Sequence, residues 1–317
     1  MTESPTRRSM PSIVFVALAA ALWGTDALFR RGLALELDAS VVVFYEHLLL
    51  TLACLPLLAR VPWRRIRWSP RVLGSLLLIG VGASATATFL FTLAFRYGDP
   101  TTPLLLQKLQ PLVAIGAAWL LLGERPRVRL GGFAAAGILG AYLIALRDPT
   151  SVSIEQLAPA LLAVGAAILW GLGTVLGRGL STTFAPRELT ALRFSIGLPA
   201  SALVVLLDTG PAGFASVSGD DLPALAALAA IPGLLALWLY YRGLAGTPAS
   251  AATLAELAFP LSAILINRFA FGDTLTWTQW VGITLLAGTL VVISRLSQRG
   301  YEHVGVEAEE PEPALQG

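Results

Sequence analysis

The chain has 317 residues, of which 56% are hydrophobic and only 13% are charged, and its mean hydropathy is +0.72. Soluble domains carry roughly 25% charged residues, so this composition indicates an integral membrane protein with a lipid bilayer around it. One cysteine excludes a disulfide framework, two histidines leave little for metal chemistry, and a net charge of +2 gives no sign of a nucleic-acid partner. No cofactor is expected.

Ten apolar segments are long enough to cross a bilayer, which takes roughly 20 helical residues. In chain order they lie at about 11–34, 39–59, 72–97, 100–122, 128–147, 157–180, 186–207, 222–244, 247–270 and 275–296. The connections between them are short and leave no room for an inserted soluble domain. The predicted fold class is therefore an all-α integral membrane protein with ten transmembrane helices.

Short motifs recur along the chain at a nearly constant offset. Trp23-Gly24 recurs as Trp170-Gly171 and Arg31-Gly32-Leu33 as Arg178-Gly179-Leu180, both 147 positions later (170 − 23 and 178 − 31). Pro111, Gly123 and Glu124 are matched by Pro260, Gly272 and Asp273 at an offset of 149 (260 − 111). Such echoes predict a duplicated folding unit, with five-helix repeats at 11–147 and 157–296.

Two polar stretches lie outside these repeats. Residues 147–153 join one repeat to the other. Residues 297–317 form an acidic tail with two prolines, Pro311 and Pro313. This composition predicts a disordered cytoplasmic tail without a functional site.

Arginine is concentrated on one side of the predicted membrane, which predicts orientation because cytoplasmic loops collect Lys and Arg. Fifteen lie on the side of the termini: Arg7, Arg8, Arg60, Arg64, Arg65, Arg67, Arg71, Arg125, Arg127, Arg129, Arg178, Arg187, Arg242, Arg295 and Arg299. Five lie on the other side: Arg30, Arg31, Arg96, Arg147 and Arg268. Both termini are therefore expected in the cytoplasm. Because five helices per repeat is an odd number, the second repeat is expected to be inverted in the membrane.

These motifs resemble those of the EamA family in the drug/metabolite transporter superfamily. Trp23-Gly24 resembles the family's opening, and Pro111 followed by Leu122-Gly123-Glu124-Arg125 resembles the end of a repeat, with Pro260 and Gly272-Asp273 as a looser copy. The resemblance covers about residues 11–296. It implies a bacterial inner-membrane transporter of small metabolites such as amino acids or drugs, commonly an exporter. A monomer or a homodimer is expected.

Lys108, the single lysine of the chain, lies eight residues into the fourth predicted helix. A charge within a membrane-spanning helix is energetically costly and points to function. Gln107, Gln110 and Pro111 lie on one face of the same helix, at i, i+3 and i+4. Pro111 also leaves the carbonyl of Gln107 without its helical partner. This polar turn is expected to face the protein interior rather than lipid.

Other charged residues are predicted at a similar depth. A rise of about 1.5 Å per residue places Lys108, Asp26, Glu46 and His47 in one layer, about 10–12 Å below the outer end. The corresponding positions of the second repeat are Arg193 (46 + 147) and Glu256 (107 + 149), which fall in the inner third.

Two interpretations of these charges remain open. In the first, Lys108 binds an anionic group of a small-molecule substrate and Asp26 or Glu46 binds an amino group or a coupling proton. In the second, Glu46–Lys108 and Arg193–Glu256 are structural ion pairs between helices. His47 is either a third proton-coupling residue or a helix-packing histidine.

Trp23 and Trp170 are further candidates for the substrate site. An aromatic side chain at this position in a helix either lines a cavity or fills a contact between helices. Trp63 and Trp68 fall at helix ends and are expected at the membrane interface, and the run from Arg60 to Arg71 serves orientation, with anionic-lipid contact as a secondary role.

The leading functional hypothesis is a secondary transporter that works by alternating access around a cavity between the repeats. A passive facilitator of the same fold is the main alternative. The lone intramembrane lysine also suggests a Schiff-base receptor, but ten helices and neighbouring glutamines count against it. A membrane enzyme would need a nucleophile, base or metal cluster that this sequence lacks.

Overall fold

The computed structural model describes residues 12–97, 100–122, 129–145, 154–244, 255–256 and 258–307. Ten principal helices run through these ranges, numbered here in chain order. They are α1 (Ser12–Glu36), α2 (Ala39–Leu58), α3 (Pro70–Ala94), α4 (Thr101–Leu121), α5 (Arg129–Ala145), α6 (Ile154–Gly179), α7 (Pro186–Asp208), α8 (Leu222–Gly243), α9 (Ala258–Phe271) and α10 (Trp277–Glu307). Seven are long and apolar enough to span a membrane, and α5, α9 and α10 contain shorter apolar stretches.

Each of the ten predicted segments overlaps one of these helices, which confirms the predicted fold class, although residues 247–254 of the ninth segment lie outside the described residues. One difference concerns the tail, because α10 continues to Glu307 and so includes residues 297–307. This stretch contains no proline, and nothing in its backbone forces the helix to end before that point. Residues 147–153, 308–317 and the Gly123-Glu124-Arg125 motif lie outside the described residues.

The helices of the two repeats are interleaved, so that each helix packs mainly against helices of the other repeat. Helix α1 packs on α8 and α9, and its counterpart α6 packs on α3 and α4. Helix α2 packs against α7, and α5 packs against α10. Most helix contacts therefore join elements of different repeats, so the space between the repeats lies at the centre of the fold.

The recurring Trp-Gly motif marks two of these contacts. A Cβ at Gly24 would contact the Ser262 hydroxyl and lie 2.9 Å from the backbone nitrogen of Ala263 in α9. A Cβ at Gly171 would lie 2.8 Å from the Cβ of Val113 in α4. Val113 and Ser262 are themselves 149 positions apart, so they are equivalent residues of the two repeats. The first helix of each repeat therefore approaches the fourth helix of the other repeat in the same way. The duplicated glycine is thus explained by backbone proximity, as is common between membrane helices.

Several helices are irregular at corresponding positions of the two repeats. Helices α3 and α8 contain π-helical turns at Leu78–Thr86 and Ala229–Leu235, which overlap at an offset of 149 and end at equivalent residues (86 + 149). Helix α4 tightens into a 3₁₀ turn at Gln107–Leu109, which ends two residues before Pro111. Proline removes one helical N–H donor, so a change of hydrogen-bond pattern here follows from the sequence. Single π-helical turns inside α-helices frequently occur at functional sites.

Candidate functional site

A cavity of about 430 Å³ lies between helices of both repeats. Small-molecule sites in proteins commonly measure about 300–1,000 Å³. The walls come from α4 and α5 of the first repeat and from α6, α9 and α10 of the second, and they are mainly aliphatic. Five polar side chains line it: Gln107, Lys108, Gln110, Thr174 and Glu256.

Lys108 presents its ammonium group to this cavity from the 3₁₀ turn of α4. Its Nζ lies 4.1 Å from the ring centroid of Phe259, a cation–π contact with α9. The Glu256 carboxylate, on the segment that precedes α9, interacts electrostatically with the ammonium. Among the described residues, no carboxylate oxygen lies within 4.0 Å of Nζ. The geometry therefore leaves the ammonium able to bind a further anionic or carbonyl group.

The amide groups of α4 add neutral hydrogen-bonding capacity beside the lysine. Gln110 Nε2 donates to Thr174 Oγ1 in α6 at 3.1 Å, and Thr174 Oγ1 donates to the carbonyl of Trp170 at 2.9 Å. Gln107 lines the same cavity. The polar turn of α4 thus faces the interior, as its composition predicts.

Glu256 is held by an aromatic pair to which each repeat contributes one residue. Tyr240 of α8 donates its hydroxyl to Glu256 Oε1 at 2.9 Å. The Tyr240 ring lies against Trp23 of α1, with the ring centroids 5.1 Å apart. Trp23 therefore contacts the candidate site through Tyr240 and is absent from the cavity wall.

A matching aromatic pair occupies the corresponding position of the other half. Trp170 of α6 lies against Phe91 of α3, with centroids 5.2 Å apart. Phe91 corresponds to Tyr240 at the offset of 149, so the two pairs are related by the duplication. The Arg30 guanidinium lies 5.6 Å from the Phe91 ring centroid, so this pair borders a charged cluster as well.

That cluster is centred on Arg30, which lies buried in α1 with 3% of its surface exposed. Its guanidinium donates to both carboxylate oxygens of Asp26, at 2.6 and 2.9 Å, and to both of Glu46, at 2.9 and 3.0 Å. A fifth bond runs to Thr92 Oγ1 at 2.7 Å. All five N–H groups of the guanidinium are used, and α1, α2 and α3 are joined at one point.

The predicted pairing of Glu46 with Lys108 is wrong, because Glu46 binds Arg30 instead. Depth along a helix follows from counting residues, but the direction of a side chain around the helix depends on packing. Arg30 lies one helical turn after Asp26 and reaches both carboxylates with its planar fork of donors. Lys108 is directed toward Phe259 of α9.

The predicted Arg193–Glu256 pair is wrong for a similar reason. Arg193 Nη2 donates to the carbonyl of Ala83, within the π-helical turn of α3, at 2.8 Å. Its Nε is buried and has no hydrogen-bond partner among the described residues. Glu46 lies near enough to interact with Arg193 electrostatically. The packing of α2 on α7 thus brings the two corresponding residues of the repeats together.

His47 lies in the contact between α2 and α3. Its Nδ1 is 2.9 Å from the carbonyl of Val43, and its Nε2 is 2.9 Å from Ser84 Oγ. Only 1% of its surface is exposed. Both ring nitrogens are engaged in local hydrogen bonds, the arrangement expected of a helix-packing histidine.

The end of the bundle nearest the start of α4 is tied across the two repeats. Thr101 Oγ1 donates to Asp273 Oδ2 at 2.9 Å, and Asn267 Nδ2 donates to Thr101 Oγ1 at 3.0 Å. The cavity lies further along α4, from Leu105 to Ile115. The repeats are therefore joined beyond one end of the cavity.

Sequence reasoning missed Arg30 because the residue lies near a predicted helix end and was assigned to the outer membrane surface. Its spacing of four residues from Asp26 is the available signal, since i and i+4 side chains meet on a helix. Removing Arg30 from the outer group leaves four arginines there (5 − 1) against fifteen. Phe259 carries no charge signal, and only its contact with Lys108 identifies it.

Comparison with known proteins identifies the family. The EamA-like transporter family matches the chain twice, over residues 10–146 and 157–295. The riboflavin transporter ImpX of Fusobacterium nucleatum is 30% identical over 300 residues, which cover 90% of this chain and 97% of that protein. The uncharacterized transporter YwfM of Bacillus subtilis is 29% identical over 286 residues, which cover 89% of this chain and 93% of that protein.

A solved structure described as a crystal structure of a protein shares the fold, with a TM-score of 0.57 and 20% identity. The match covers 91% of this chain and 98% of that chain. Together with the two family matches and the ten apolar helices, this supports the duplicated architecture predicted from the recurring motifs. The chain belongs to the EamA-like transporter family and is a multi-pass membrane transporter rather than an enzyme.

Proposed function

We propose that the chain carries a small organic metabolite through the cavity between its repeats by alternating access. The observation that carries this proposal is that Lys108 and Glu256 both line an otherwise largely apolar cavity. Lys108 belongs to the first repeat and Glu256 to the second. A rocking motion of the repeats would change the separation of the two charges and expose the cavity to either side in turn.

The cavity chemistry suits a substrate with a flat or apolar body and a polar edge. The aliphatic walls accommodate the body, and the two glutamine amides can pair with carbonyl or N–H groups at the edge. Lys108 would bind a carboxylate or a polarised carbonyl, and Glu256 an amino or N–H group. Amino-acid-like compounds and drugs of this description fit.

Riboflavin is the first compound to test, because the relative ImpX is named as a riboflavin transporter. Its flat ring system has carbonyl and N–H groups along one edge, which suits the amides and charges of the cavity. A zwitterionic amino acid is the second class, because Lys108 and Glu256 together offer one partner for each of its charges.

We place the protein in a bacterial inner membrane with both termini in the cytoplasm and expect export to be the physiological direction. The excess of arginines on the side of the termini supports this orientation. We expect the transport unit to be a monomer or a homodimer. Direction follows from comparing uptake in right-side-out and inside-out vesicles.

Proton coupling through Asp26 or Glu46 is part of the proposal. The two carboxylates share one guanidinium, so a proton on either would leave the other paired with Arg30. Passive facilitation is the competing possibility. An imposed pH gradient across proteoliposomes distinguishes them, because a coupled transporter accumulates substrate and a facilitator only equilibrates it. We expect Asp26→Asn and Glu46→Gln to lose accumulation while keeping exchange.

The central test is transport by Lys108→Met in proteoliposomes, with riboflavin and amino acids as substrates. Methionine keeps the length and removes the charge, so we expect transport to fall at least tenfold while the melting temperature stays within a few degrees of wild type. Arg96→Gln, which removes a charge from an exposed ion pair, is the matched control. Full recovery in Lys108→Met/Glu256→Gln would contradict a binding role and indicate a structural charge pair.

A further inference from the structure

The connection between α2 and α3 has a composition that transport through the cavity does not explain. Residues 59–71, which comprise this connection and the first two residues of α3, contain five arginines, two tryptophans and no acidic residue. The corresponding connection of the second repeat, residues 209–221, contains two aspartates and neither arginine, lysine nor tryptophan. Duplication alone therefore did not impose this pattern.

The connection is folded rather than extended into solvent. Val61 and Ile66 are 4% and 8% exposed and belong to a cluster with Leu180 and Phe184 of the α6–α7 connection. A 3₁₀ turn spans Trp63–Arg65. The side chain of Ser69 accepts a hydrogen bond from the backbone of Val72 at the start of α3. The intervening side chains are thus held on a fixed backbone.

Trp63 and Trp68 form one exposed aromatic surface on this backbone. Their rings are nearly parallel, at 18°, with centroids 6.2 Å apart, and each residue is almost half exposed. Tryptophan is favoured at the boundary between headgroups and acyl chains, because its body is apolar and its N–H is polar.

Four exposed arginines surround the tryptophan pair: Arg60, Arg64, Arg67 and Arg71. None of them has an ion pair or hydrogen bond to another described residue through its guanidinium. An arginine guanidinium is suited to phosphate, which it binds with two parallel N–H donors. The surface offers these donors beside rings that would enter the lipid layer.

We propose that the α2–α3 connection is a binding site for the phosphate headgroup of an anionic phospholipid. Arg64 and Arg67 lie between the two tryptophans in sequence, each next to one of them, and would bind the phosphate, while Trp63 and Trp68 insert at the headgroup level. This site is separate from the cavity and does not depend on which substrate is carried.

The test titrates the purified full chain in neutral detergent with phosphatidylglycerol or with phosphatidylcholine of the same acyl chains. Binding is followed by native mass spectrometry and by melting temperature. We expect phosphatidylglycerol to be retained and to raise the melting temperature, and Arg64→Gln/Arg67→Gln to bind it about tenfold or more weakly. Phosphatidylcholine should give no such shift in either protein.

Arg31→Gln/Arg268→Gln is the matched control, because it removes two positive charges from the other end of the helices. Retained phosphatidylglycerol binding in this control supports a local site, whereas equal loss in both double variants would overturn it. Wild-type affinity in Arg64→Gln/Arg67→Gln would also overturn it. Displacement of the lipid by an equal concentration of inorganic phosphate would identify a phosphate site instead and contradict the lipid assignment.

Discussion

The two repeats share their helix packing but differ in the chemistry that joins their helices. In the first repeat, Arg30 connects Asp26, Glu46 and Thr92 through five hydrogen bonds. The corresponding positions of the second repeat are Gly173, Gly177, Arg193 and Tyr241. Where the first repeat uses a buried charge cluster, the second therefore uses small residues and an arginine bound to a backbone carbonyl.

This difference separates the features that both repeats need in order to fold from those that only one repeat has. A Cβ at Gly173 would contact Ala83, whose carbonyl is the acceptor for Arg193. The second repeat thus achieves a close helix contact at a place where the first has bulky charged groups. The Trp-Gly contacts and the aromatic pairs occur in both repeats, whereas the charge cluster occurs in one. Shared features build the fold, and unshared features are where the two halves of a transport cycle can differ.

The largest loss of stability is expected from Arg30→Gln, which tests this difference between the repeats. It leaves two buried carboxylates without their cation, and losing one partner of a buried ion pair costs about 3–5 kcal/mol. Arg193→Gln removes a charge bound mainly to a carbonyl and should cost about 1–3 kcal/mol. Unfolding monitored by circular dichroism in detergent measures both.

Arg30→Gln combined with Asp26→Asn and Glu46→Gln should recover much of the lost stability, because no charge is then left unpaired. Equal losses in Arg30→Gln and Arg193→Gln would mean that the repeats do not differ in the way the contacts indicate.

A smaller effect is expected from the glycines that both repeats share. In Gly24→Ala and Gly171→Ala the added methyl group meets the backbone or Cβ of a neighbouring helix, and overpacking of this kind costs about 1–3 kcal/mol. Gly32→Ala is the matched control, since nothing lies within 4 Å of the added Cβ. Melting temperatures should fall in both Trp-Gly variants and not in the control. A fall in only one of them would break the equivalence of the two contacts.

The smallest effect concerns the aromatic pairs. Tyr240→Phe makes the second pair chemically like Trp170–Phe91 and removes the hydrogen bond to Glu256, at a cost of about 1 kcal/mol. Because Glu256 lines the cavity, we also expect a few-fold higher KM for transport. Tyr241→Phe, which changes the half-exposed neighbour, should alter neither value. If Tyr240→Phe has the same stability and the same KM as wild type, Tyr240 does not contribute to the candidate site.

Hydropathy located all ten helices because a membrane helix must bury a run of apolar residues in lipid, and this requirement is written along the chain. The recurring motifs revealed the duplication because the same backbone contacts recur in each half. Lys108, Gln107 and Gln110 could be placed together on the interior from their helical spacing. The partner of Lys108 could not, because residues from α9 approach it through tertiary packing.

The sequence by itself thus determined the class of protein and the number and position of the helices. Each of these depends on properties that are local to a segment, namely apolar length, helical rise and the cost of charge in lipid. Only the tertiary structure decided that Glu46 binds Arg30, that Arg193 binds the carbonyl of Ala83, and that Lys108 lies over Phe259. These partners depend on the rotation of each helix about its axis, which is set by the neighbouring helices that surround it.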